Sequence, residues 1–217
     1  MMTFRNKVYV VVLVVAGLLV AGSLVRYFRP WSLARLGAGL RVEEAVAFKF
    51  GRLIKERLGR NGPVLVMQLP SPDAATTARA KRQRAALARG LGEPAPSLLV
   101  VSPDQLPAAV LVDLTLRMYS GAWSKEFLAW ITPHPHARAV VSFMGFPEDL
   151  PAELPAPLPP VLAVYAGRNH PAADWVALGK AFALAELRPD ADLKSDPASK
   201  ATPEDIFQAR YTLVLAP

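Results

Sequence analysis

Apolar positions fall into distinct rhythms along this chain. From Val8 to Val25 the run is apolar and carries no charge. As a helix it would extend about 27 Å at 1.5 Å per residue, close to the hydrocarbon thickness of a bilayer. From Ser32 to Leu58 the rhythm becomes helical. Val42, Val46, Phe50, Leu53 and Ile54 share one face, and Arg41, Lys49, Arg52, Lys55 and Arg57 fill much of the rest. Such a basic amphipathic helix can lie on anionic lipid or pack its apolar stripe on a neighbouring domain. Gly59 and Asn61-Gly62-Pro63 end it.

Beyond Pro63, short apolar runs alternate with longer amphipathic ones. Val64–Leu69 reads as a strand buried on both faces. Ser71-Pro72-Asp73 then supplies an N-cap, a proline for the first turn and an early acid, predicting a helix to about Arg89 that ends at Gly90 and Gly92. Arg79, Lys81, Arg82, Arg84 and Arg89 form its solvated basic face. Ser97–Val101 is a second buried strand, and Ser102-Pro103-Asp104 repeats the capping tripeptide. Ala109–Met118 alternates as a strand does, although the same letters suit a buried helix. Trp123–Ile131 predicts a helix with Trp123, Phe127, Trp130 and Ile131 inward, and Ala137–Gly145 a third strand. The proline-rich stretch Glu148–Pro160 reads as a stiff, extended crossover. Val161–Ala166, Phe182–Leu187 and Tyr211–Leu215 complete the strands, the last at a sheet edge. Helices are expected from Ala172 to about Lys180 and over Pro203–Ala209, the latter capped by Thr202.

Strands alternating with helices predict an α/β fold: a three-layer, mostly parallel, Rossmann-like sheet over 63–217. It follows an amphipathic linker helix (32–62) and a membrane anchor (1–31). Sheets of this kind bind ligands beyond the carboxyl ends of their strands. That rule selects Gln68 and Ser71, Ser102 and Asp104, Ser142, and Arg168, Asn169 and His170 as candidate ligand-binding residues. Arg168 suits an anionic group; Gln68, Ser142 and Asn169 suit a polar one. The plainer reading is that the serines cap helices, the glycines turn the chain and the rest is solvated loop.

Composition sharpens the picture at a few points. A chain of 217 residues, less its first thirty or so, holds one ordinary α/β core. The 25 basic residues outnumber the 18 acidic ones, for a formal charge of +7, and many of the positive charges flank the apolar run, which points to lipid. Arg26, Tyr27, Phe28, Arg29 and Trp31 are the groups expected at a membrane interface, so an uncleaved signal anchor is favoured over cleavage near Ala21-Gly22-Ser23. The short basic start favours an exported domain, while Arg26, Arg29, Arg35 and Arg41 argue for the reverse. The expectation is a bacterial-type inner membrane protein, single-pass, with an extracytoplasmic domain. Cysteine is absent, which excludes disulfides, thiolate ligands and a cysteine nucleophile.

Sought chemistry is sparse. Neither dinucleotide and P-loop glycine motifs nor a Gly-x-Ser-x-Gly elbow occur. His134 and His136 flank Pro135 without a nearby acid, so no metal is expected, and no cofactor is. His170, beside Asn169 and near Asp174, is the better catalytic candidate but has no partner nucleophile. The Arg79–Arg89 helix lacks interleaved aromatics, so nucleic acid is not expected. The stretches Val64-Leu-Val-Met-Gln-Leu-Pro70 and Val140-Val-Ser-Phe-Met-Gly145 resemble strands in one lobe of the sugar-binding periplasmic proteins. The likeness covers those short apolar strands, without a second lobe. The leading expectation is a non-enzymatic, membrane-anchored module that binds a protein partner or a small polar ligand. The alternatives are a tethered hydrolase or transferase using His170, and a structural subunit of an envelope complex.

Overall fold

A computed structural model describes residues 41–59, 62–68, 74–92, 97–101, 108–154, 157–165, 170–191 and 201–217. The chain separates into Met1–Gly39 and Leu40–Pro217, and every described residue belongs to the second unit. The Val8–Val25 run therefore lies outside the described residues. Among those residues, no helix is long and apolar enough to cross a membrane.

Strands β1 (Val64–Met67), β2 (Leu98–Val101), β3 (Ala139–Ser142), β4 (Val161–Tyr165), β5 (Ala183–Leu187) and β6 (Tyr211–Leu215) form one sheet in the order β2-β1-β3-β4-β5-β6. All pairings are parallel except β5 with β6. Register follows from the pleat: Leu65 lies beside Leu99 on one side and Val140 on the other. All four residues of β1 are buried, because both sheet faces are covered. Val64 and Val66 enter one core with α1 (residues 41–57), α2 (Ala74–Leu91) and α6 (Pro203–Arg210). Leu65 and Met67 enter the other with α3 (Ala108–Ser120), α4 (Ser124–Ile131) and α5 (Ala172–Ala177). The three layers and mostly parallel sheet expected from the sequence are present.

Several local expectations change. Residues 109–118 belong to helix α3, and the strand-like alternation is accidental. Leu114 and Met118, one helical turn apart, face the core, while Leu116 and Tyr119 stay exposed. An Arg117–Asp113 pair one turn apart supports the helix, and Gly121 at φ +77° ends it. Gly90 does not stop α2; the helix continues to Leu91, and Gly92 at φ +63° closes it. Gly90 serves instead as a contact surface. It meets Gly51 of α1 so closely that a Cβ at Gly90 would lie 2.2 Å from the Phe48 carbonyl oxygen. A Cβ at Gly51 would lie 2.3 Å from that of Leu87. The amphipathic helix before β1 is thus part of the core, with Val46, Ala47, Phe50 and Ile54 at most 1% exposed.

β3 stops at Ser142, before the expected glycine, because Phe143 and Met144 already bend towards Gly145 (φ +97°). The crossover to β4 contains no helix among its described residues. It lays Met144, Phe146 and Leu150 into the core shared with α3, α4 and α5. Lys180 fixes it by donating to the Leu150 and Pro151 carbonyls. α6 begins at a full capping box: Thr202 Oγ1 accepts from the Asp205 amide, and the Asp205 carboxylate accepts from the Thr202 amide.

Candidate functional site

The strand order reverses at β1. β2 lies on one side of it and β3 on the other, so their crossovers leave towards opposite faces. The carboxyl edge beside such a reversal is where doubly wound sheets receive ligands. Gln68 follows β1 there, and Ser142 ends β3 in the adjacent position. The Gln68 amide donates to the Val101 carbonyl at 3.2 Å and the Phe143 amide to the Met67 carbonyl at 3.0 Å. Hydrogen bonds of ladder type thus tie the three strand ends β2, β1 and β3 together at this edge.

The side chains at this edge are already engaged. Gln68 is 3% exposed. Its Nε2 donates to the Ala80 carbonyl at 3.1 Å and to Gln83 Oε1 at 3.0 Å, and its Oε1 accepts from Arg84 Nη1 at 2.7 Å. Gln83 Nε2 in turn donates to Glu43 Oε2 at 3.3 Å, and Arg79 Nε pairs with the same oxygen at 3.1 Å. A chain of polar groups, buried at Gln68 and Gln83 and partly exposed at Glu43, therefore runs from the end of β1, through α2, to the first turn described in α1. Burial pushes the Glu43 carboxyl above its ordinary range, and the Arg79 charge opposes that shift.

Ser142 is fully buried, and its hydroxyl donates to the Gly145 carbonyl at 2.6 Å. It locks the turn after β3. His170 lies beyond the end of β4, the strand next to β3. Its ring is exposed and meets the Trp175 ring edge-on at 5.6 Å. The Tyr165 hydroxyl donates to the His170 carbonyl at 2.6 Å and accepts from Trp175 Nε1 at 3.2 Å. Burial raises the Tyr165 phenol, and the Trp175 hydrogen bond opposes that.

The structure thus brings Gln68 and Ser142 to neighbouring strand ends, and His170 follows the end of the next strand, β4. Ser71, Ser102, Asp104, Arg168 and Asn169 lie outside the described residues. Glu43, Arg79, Gln83 and Arg84 were not singled out as partners of the β1 end. A signal for Gln83 existed: helical spacing sets it on the same side of α2 as Leu87 and Gly90, the side that faces the core. Arg79 and Arg84, read as a solvated face, are instead engaged by Glu43 and Gln68. No group of three or more His, Cys, Asp or Glu residues among those described is placed to hold a metal ion.

No protein-family model matches this chain, and no curated protein sequence does. Among solved structures, a sugar ABC transporter from Actinomyces odontolyticus is similar at 15% identity and a TM-score of 0.36, over 66% of this chain. The match spans 43% of that protein, so this chain corresponds to less than half of it.

Proposed function

We propose that this chain is a single-pass membrane protein whose α/β unit binds a small polar ligand at the carboxyl edge of its sheet, between the ends of β1 and β3. The domain is held at a bilayer by Val8–Val25 and stands on the extracytoplasmic side of a bacterial-type inner membrane. One observation carries the reading: the reversal of strand order at β1, which in this fold class marks the ligand crevice. Gln68 and Ser142 form the base of that crevice and shape it through internal hydrogen bonds. This reading assigns the ligand to Ser71, Ser102, Asp104, Arg168 and Asn169, which follow β1, β2 and β4 in the sequence.

Two experiments test it. A reporter fused to the carboxyl terminus, active on one side of the membrane only, reads the topology; a cytoplasmic signal refutes the placement. For binding, full-length protein in mild detergent is titrated with panels of sugars, amino acids and small carboxylates while its melting temperature is followed. A ligand at a hundred times its Kd stabilises by about 2.7 kcal/mol. The reading predicts that Arg168→Ala or Asp104→Ala abolishes the shift while leaving the unliganded melting temperature in place. A shift that survives both substitutions would sink it.

A further inference from the structure

We infer, resting on the proposed Val8–Val25 anchor, that the outer face of α1 and α2 lies on the anionic lipid of the same membrane. Charge is unevenly placed along the sequence. Between Arg41 and Leu91 eleven basic residues stand against four acidic ones, whereas from Gly92 to Pro217 fourteen acidic residues stand against nine basic ones. The fold gathers the basic part on one side, because α1 and α2 cover one face of the sheet while α3, α4 and α5 cover the other.

Ion pairing leaves the excess positive. Glu43 and Glu44 of α1 pair with Arg79 and Arg89 of α2. Glu56 pairs with Arg52, and Glu204 of α6 with Lys49. Asp205 is held in the capping box of α6. Every acid described in α1, α2 and α6 is thus engaged. Arg41, Lys55, Arg57, Lys81 and Arg82 are exposed and have no ion-pair partner among the described residues. The Glu43 and Glu44 pairs join the two helices side by side, and Lys55 Nζ lies against Gly92 at the end of α2. The free charges therefore belong to one surface.

The occupant is a bilayer surface. No exposed large hydrophobic among the described residues belongs to α1 or α2, so this face offers charge without the apolar patch of a protein interface. The aromatics of the two helices, Phe48 and Phe50, pack into the core and leave no ring for a nucleic-acid base to stack on. Fifteen residues, Arg26–Leu40, separate the anchor from Arg41. They carry Arg26, Arg29 and Arg35 and no acid, and they extend at most about 50 Å. Basic clusters held this close to a membrane span are drawn to anionic headgroups. With this face down, the sheet lies along the bilayer, and its carboxyl edge opens parallel to the membrane surface.

The full chain in phosphatidylcholine vesicles, with and without phosphatidylglycerol, tests this. The sequence has no cysteine, so Ala85→Cys carries a single fluorophore on the exposed side of α2, one turn from Lys81, Arg82 and Arg89. Leu178→Cys, 63% exposed on the turn after α5, is the control. Acrylamide should quench the Ala85 label less in anionic than in neutral vesicles, and equally in both at high salt. Lys81→Glu and Arg82→Glu should each lower the ratio of shielded to free label at least about fivefold. The Leu178 label should respond to neither lipid nor salt. Unchanged tryptophan fluorescence shows that each variant is folded. Flotation with neutral vesicles reads the anchor alone, because the basic face meets no net charge there. A chain that does not float refutes the anchor and the inference together. An anchored chain whose Ala85 label is quenched equally in both vesicles overturns the inference alone. So does shielding indifferent to the charge reversals, or stronger shielding by single-stranded RNA than by anionic vesicles at equal salt.

Discussion

Gly90→Ala is the sharpest test of how the core is assembled. In an ordinary helix interior this change stabilises by about 1 kcal/mol, since alanine is the better helix former. Here the added methyl would lie 2.2 Å from the Phe48 carbonyl oxygen and 3.0 Å from both Arg52 N and Gly51 Cα. These are backbone atoms, so no side-chain rotation relieves the contact. Ordinary van der Waals contact begins at 3.4 Å, so α1 and α2 must separate by about 1.2 Å. A radial gap of roughly 0.5–1 Å already forfeits a quarter to a half of the dispersion energy across an interface. This interface includes Val46, Ala47, Phe50 and Ile54 of α1 and Ala86, Leu87 and Leu91 of α2, all at most 1% exposed. Overpacking of a tight core costs about 1–3 kcal/mol for less severe contacts. A net loss of about 2 kcal/mol is therefore expected after the propensity gain.

Urea unfolding of the full chain in mild detergent, followed by tryptophan fluorescence, measures it. With a slope of about 2 kcal/mol/M, the midpoint should fall by roughly 1 M. Gly51→Ala should cost a similar amount, and the double variant less than the sum, because both relieve one contact by one separation. Gly59→Ala is the control: it has positive φ (+73°) but nothing within 4 Å, so it should lose only about 1 kcal/mol. A Gly90→Ala midpoint equal to or above that of the parent would refute the close crossing and, with it, the place of α1 in the core.

Phe127→Ala removes a fully buried ring that meets Trp123 at 5.3 Å and Phe146 at 6.0 Å. It should cost about 3–5 kcal/mol by chemical denaturation. Thr202→Ala deletes the α6 cap and should lower stability by about 1 kcal/mol, while Thr202→Ser should retain most of it. The Asp205 carboxyl is held below its ordinary range by hydrogen bonds from Thr202. Its contribution is therefore complete above its unfolded pKa and fades as pH falls through the folded value. A Tm profile that declines equally below pH 4 in Asp205→Asn would contradict this.

The sheet and its order of elements were readable because β1, β3 and most of β4 are buried on both faces and therefore written as unbroken apolar runs. Thr202-Pro203 announced α6 for a local reason, since capping is decided within one turn. α3 was less legible. It leaves Val110, Leu116 and Tyr119 exposed on different sides, which blurs the helical period into an apparent alternation. Gly90 was misread because a glycine near a helix end normally terminates it; only the partner helix, contributed by residues distant in sequence, shows it to be a contact. The candidate site was legible as a location, since strand ends follow from strand positions. Its chemistry was less so: Gln68 and Ser142 are spent on internal hydrogen bonds that no local pattern records.

Those internal bonds have a consequence for α1. Glu43, Gln83 and Gln68 connect the described start of α1 to the end of β1 at the carboxyl edge, whereas Gly59, after α1, accepts from Arg138 at the opposite edge. The described start of α1 is therefore tied to the end of β1, beside the proposed crevice. The link is sensitive to charge. Because burial raises the folded pKa of Glu43, its contribution to stability is complete below its unfolded pKa and is lost as pH rises through the folded value. Above that value the ionised carboxylate is retained at a cost that Arg79 offsets only in part. Glu43→Gln keeps an acceptor for Gln83 and Arg79 but removes the titration. Its Tm should match the parent near pH 4 and equal or exceed it near pH 7, with the difference growing as pH rises. A variant less stable at pH 7 than at pH 4, relative to the parent, would show that the Arg79 pair outweighs burial. The α1–β1 link would then be held by charge and not by neutral hydrogen bonding.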